Sequence, residues 1–68
     1  MNEYMIASIM VGEAGICGQL GMLAVAFVIM NRGGIDGFYG RGTPTQEAIQ
    51  LASMVLHGSV EDPTHGAL

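Results

Sequence analysis

The sequence predicts a small all-α fold of about three helices. Apolar residues recur at helical spacing in three separate segments, and glycine clusters punctuate the chain between them. No segment alternates apolar and polar residues as a half-buried strand does. At 68 residues the chain is at most one domain, residues 1–68, and it contains no internal repeat and no low-complexity tract.

The first helix is expected over about residues 3–13. Asn2 is a suitable N-cap, Glu3 complements the dipole in the first turn, and Gly15 ends the segment. Ile6, Ile9, Met10 and Glu13 fall at i, i+3, i+4 and i+7, so one carboxylate continues an apolar stripe. The second helix is expected over about 19–32. Leu20, Leu23, Ala24, Phe27 and Asn31 share one side, with Met22, Val25 and Ile29 on another. A helix apolar all round is a buried one, so this should be the most buried of the three. Gly33-Gly34 closes it. Residues 33–43 hold five glycines, with Phe38 and Tyr39 among them, and read as a loop. The third helix is expected over about 44–57, with Thr43 as N-cap, Pro44 at N1 and Gln46 at N3. Its buried stripe is Ala48, Leu51, Ala52 and Val55; its wet stripe is Gln46, Gln50, Ser53 and His57. The tail from Glu61 to Gly66 is turn chemistry.

Composition narrows the function. The chain is 50% hydrophobic and 12% charged, and Cys17 is its one cysteine, so no internal disulfide can staple so short a core. Exposed apolar surface should follow, and with it self-association into a homo-oligomer or membership of a larger, truncated fold. Arg32 and Arg41 face six acidic residues, which argues against nucleic acid and against polybasic attraction to lipid. The longest apolar run, Leu20 to Met30, falls short of the roughly 20 residues of a membrane span, so insertion is not expected. Met1-Asn2-Glu3-Tyr4 lacks the positive start of a secretory signal.

Glu13 is the leading candidate for chemistry. Beside Ile6, Ile9 and Met10, desolvation would favour its protonated form, as a general acid requires. The alternative is a helix-end glutamate that reaches water. Cys17 with His57 or His65 matches no nucleophile–base signature, and packing is the plainer role for the thiol. His57 in the last turn suits the helix dipole. His57 and His65 would need more donors than Glu61 and Asp62 to bind a metal, so no metal is expected. The glycine loop has neither a preceding strand nor a Lys-Ser/Thr pair, so no phosphate cradle and no cofactor are expected. Phe38 and Tyr39 could stack on a sugar or close a small core.

Four ordered motifs add to this reading. They are Val11-Gly12-Glu13-Ala14, then Val25 to Arg32 (VAFVIMNR), then Ala52 to Gly58 (ASMVLHG), then Asp62 to Leu68 (DPTHGAL). Together, over residues 4–68, they resemble the SleB-like cell wall hydrolases, the family of spore cortex-lytic enzymes with phage and bacterial members. The resemblance implies a lysozyme-like helical fold, action on peptidoglycan, and a place at the cell wall, extracellular or phage-associated. It implies Glu13 as catalytic acid/base and a lytic transglycosylase reaction that leaves an anhydro-muramic end. It sets Asp62, Thr64 and His65 at the substrate cleft; Tyr39 joins them as a substrate-binding candidate on the residue reading alone, as a ring that could stack on a sugar. The chain departs from the family pattern at Cys17, where a second glutamate is usual, and in its short stretch between Arg32 and Thr43. It therefore reads as a minimal variant or a truncated piece. The competing classes are a non-catalytic or degenerate helical module that self-associates, and a small membrane or phage-lysis protein.

Overall fold

A computed structural model describes residues 2–68 as three helices joined by short turns and one long loop. Among the described residues there is no strand. Helix α1 spans Glu3–Ala14, α2 spans Gly18–Arg32 and α3 spans Gln46–Leu56. A 3₁₀ turn at Gly15–Cys17 reverses the chain between α1 and α2, and Gly18 leaves it at φ 74°.

The helix ends follow from their capping chemistry. Asn2 accepts a hydrogen bond from Met5 N–H at 2.9 Å and so opens α1. At the far end of α2, Gly33 lies at φ 82° and donates to Met30 O, while Gly34 N–H reaches Ile29 O. That is a Schellman closure, which needs a left-handed residue. The start of α3 differs from the expectation. Thr45, not Thr43, is the N-cap, and its Oγ1 accepts from Ala48 N–H at 3.0 Å. The reason lies upstream: Gly42 exchanges two hydrogen bonds with Ser8, one to its carbonyl and one from its hydroxyl. That pairing holds the chain extended past Thr43, and the helix begins at the next residue able to cap it.

The core is a single cluster drawn from all three helices. Ile6, Ile9, Met10 and Ile29 are its largest fully buried side chains. Ala48, Leu51, Ala52 and Val55 supply α3's share, the stripe read from the sequence. The expected burial order is overturned. Five residues of α1 are buried against three of α2, namely Met22, Ala26 and Ile29. Val25 and Phe27 are only half-buried, and Leu20 is exposed. A helix is covered on every side only when neighbours surround it; α1 packs closely on both α2 and α3, whereas α2 packs closely on α1 and more sparsely on α3. In this fold α1 takes the central place.

The stretch Glu3–Arg32 has an 18-residue window of mean hydropathy 1.7 and, by length and composition alone, is apolar enough to cross a membrane. Here it is folded back on itself as α1 packed on α2.

Candidate active site around Glu13

The last turn of α1 carries Gly12-Glu13, and the loop 33–45 lies directly on it. A Cβ built on Gly12 would fall 2.3 Å from Arg41 N and 2.5 Å from Gly40 C, so only glycine permits this approach. From the other side, a Cβ on Gly40 would meet Gly12 C at 2.9 Å, and one on Gly42 would meet the Val11 side chain at 2.6 Å. Glycine inside a helix costs about 1 kcal/mol relative to alanine, and here the close packing of backbone on backbone explains its presence. The contact has a chemical product: Gly40 N–H donates to Glu13 Oε1 at 3.0 Å. Among the described residues Oε2 has no hydrogen-bond partner. Residues Gly12, Gly40, Gly42 and Ser8 were not read from the sequence as parts of a site. The signal was a helical glycine just before the candidate carboxylate, facing glycines at alternate positions of the loop.

Glu13 is exposed, which corrects one expectation. The stripe of Ile6, Ile9 and Met10 is buried, but it ends before Glu13, where the core gives way to the loop. Burial therefore does not supply the desolvation that the spacing implied. Position and a fixed hydrogen bond do more to define this carboxyl than its surroundings.

Tyr39 precedes the glycine that holds Glu13, and it is 88% exposed. Its two neighbours are anchored. Phe38 packs against the core with the Arg32 guanidinium 4.9 Å above its ring, and Gly40 is bonded to Glu13. Arg41 Nη1 donates to both Phe38 O and Gly40 O, at 2.8 and 2.9 Å, and clamps the segment around Tyr39. The aromatic pair thus divides: one ring closes the core and the other faces outward.

No protein-family model, curated protein or solved structure matches this chain.

The tail forms a turn built on Asp62. Its Oδ1 accepts from Thr64 N–H and Thr64 Oγ1, and its Oδ2 accepts from Gly66 N–H and from Asn31 Nδ2 of α2. Desolvation acts to raise the pKa of this carboxyl. The bonds from the Thr64 hydroxyl, Asn31 and the two backbone N–H groups outweigh it and bring the pKa from 3.8 down to about 2. Thr64 Oγ1 also accepts from Ala67 N–H. Asp62 and Thr64 are thus committed to shaping the turn, and His65 stands exposed at its tip with φ 55°. The turn is tied to the end of α2 by Asn31 Nδ2 to Ala67 O and by Arg32 Nε to Leu68 O. Through Arg32 on Phe38, it joins the same loop that holds Glu13.

Cys17 is exposed in the 3₁₀ turn, contrary to the packing role expected of it. His57 caps the end of α3 with Nδ1 3.3 Å from Ser53 Oγ. Among the described residues no three His, Cys, Asp or Glu side chains are grouped to hold a metal ion.

Proposed function

We propose that the chain cleaves peptidoglycan glycan strands, with Glu13 as the acid/base of a lytic transglycosylase reaction. The observation that carries the reading is the Gly40 N–H to Glu13 Oε1 bond, which fixes one oxygen of an exposed carboxyl through the residue next in sequence to the exposed Tyr39. The ordered motifs that resemble the SleB-like enzymes support it from the side of sequence.

The reaction suits a site with one carboxyl group at its centre. Protonated Glu13 gives its proton to the glycosidic oxygen as the C1–O bond breaks. The resulting carboxylate then takes the proton of the muramic C6 hydroxyl, whose oxygen attacks C1 and closes the anhydro ring. No water is consumed, and Glu13 returns to its protonated form. A glycosidase with two carboxylates instead needs its second group about 5–9.5 Å away. Gly40 fixes the carboxyl's direction, Tyr39 offers a ring face to the sugar, and His65 extends the contact from the turn that Asp62 and Thr64 shape.

The test is digestion of purified peptidoglycan, with products read by mass spectrometry for anhydro-muramic ends. Glu13→Gln keeps the size and still accepts from Gly40, but it cannot deliver a proton. The rate should fall by about 10²–10⁴ or more with the fold unchanged. A Glu13→Gln chain that digests as fast as the parent overturns the assignment. The second reading, a non-catalytic module that self-associates, is favoured by the exposed Ile16 and Leu20. Zymography on cell-wall material separates the two.

A further inference from the structure

On another side of the molecule, α1 and α3 enclose an open cleft of about 460 Å³. Glu3 and Tyr4 line one wall; Gln46, Gln50, Ser53 and Met54 line the other. The α3 wall carries the polar stripe seen in the sequence at positions 46, 50 and 53, with Ile49 and Met54 beside it, so the stripe borders a concave surface of mixed character. Tyr4 lies nine residues before Glu13 on the same helix. At 3.6 residues per turn that is about two and a half turns, so the two side chains leave α1 on opposite sides, about 14 Å apart along its axis. The cleft is not an extension of the site at Glu13.

We propose that this cleft is a second saccharide-binding site. The chemistry of its walls selects the ligand. Arg32 and Arg41, the chain's two Lys/Arg residues, are both engaged elsewhere, Arg32 with Leu68 O and Arg41 with Phe38 O and Gly40 O. With Glu3 at the rim and no Lys or Arg at hand, a phosphate or carboxylate ligand would meet repulsion. The volume lies in the usual range for small-ligand sites. Its polar groups are two primary amides and a hydroxyl, each able to donate and accept, with Glu3 as a further acceptor. That set suits a neutral ligand dense in hydroxyl and amide groups. Tyr4 is 59% exposed and supplies an aromatic face on which a sugar ring can lie. Both walls belong to helices locked by the core, so the site is formed before the ligand arrives. The choice of an N-acetylated amino sugar as its natural ligand rests on the proposed activity; the site itself does not.

The experiment titrates a linear tetramer of N-acetylglucosamine into the isotopically labelled full chain and follows amide resonances by NMR. Saturable shifts are expected at Tyr4, Ser53 and the side-chain amides of Gln46 and Gln50. Tyr4→Ala should weaken binding about tenfold. Gln50→Ala, on the exposed face of α3, should weaken it as well, and Glu13→Gln should leave it unchanged. Shifts confined to the surroundings of Tyr39 and Glu13, or none at the cleft, overturn the inference whether or not peptidoglycan is cleaved. Saturable shifts at the cleft in a chain that cleaves nothing sustain the inference and sink the proposed activity.

Discussion

The value of a glycine can exceed that of the reactive group beside it. Glu13 could be singled out from its spacing, but its hydrogen bond depends on Gly12, which has no chemistry of its own. Gly12→Ala places a methyl group 2.3 Å from Arg41 N, and backbone cannot swing aside as a flexible side chain would. Overpacking of this kind typically costs about 1–3 kcal/mol, and the loop must lift to relieve it. The expected result is a lower melting temperature together with loss of the protected Gly40 amide in hydrogen exchange. An unchanged Gly40 amide in Gly12→Ala would show that the close approach is not what seats the loop. Asp62 gives a second prediction at this scale. Its pKa is lower folded than unfolded, so the carboxylate contributes stability that is present above pH 3.8 and is lost as the pH falls through about 2. Thermal melts between pH 5 and 2 should show that loss, and Asp62→Asn should flatten it. Little of this was legible beforehand, because tertiary contact decides which glycine meets backbone and which carboxylate gathers four donors.

Helices are where the sequence spoke most clearly. Periodic apolar stripes and cap residues placed α1 and α3 to within two residues, since local chemistry decides where a helix opens and closes. The miss at α3 is informative for the same reason. Thr43 and Thr45 are equally good caps in isolation, and the choice between them belongs to Ser8 and Gly42, more than thirty residues apart in the chain. Thr45→Ala should therefore cost about 0.5–2 kcal/mol, while Thr43→Ala should fall within error in the same melt. Equal effects from the two substitutions would contradict the observed helix start. The burial of α2 was misjudged on a different ground. All-round apolarity reports what a helix could bury, not how many neighbours the chain can spare to cover it.

Those missing neighbours become a property of the whole molecule. Three helices built from 68 residues leave Ile16, Leu20, Tyr4 and Met5 with large apolar side chains in water. Ile16 and Leu20 lie close in sequence at the hairpin between α1 and α2, Ile16 fully open and Leu20 68% exposed. Buried apolar area contributes about 25 cal/mol per Å², so covering these side chains against a second copy is favourable, and a marginal core gains from it. The net charge of −4 opposes close approach only weakly at physiological salt, where the Debye length is about 8 Å. The chain is therefore expected to self-associate, with the hairpin in the contact. Multi-angle light scattering should show a mass above that of one chain, rising with concentration. The run must be made under reducing conditions, because Cys17 is exposed in the same turn and could otherwise join two copies by oxidation. Replacing Ile16 by Ser and Leu20 by Gln removes the apolar surface without touching the core, so the double variant should run as a monomer with its helix content retained. A parent chain that stays monomeric across a wide concentration range refutes the association. A double variant that associates like the parent places the contact elsewhere, with Tyr4 and Met5 the next surface to change.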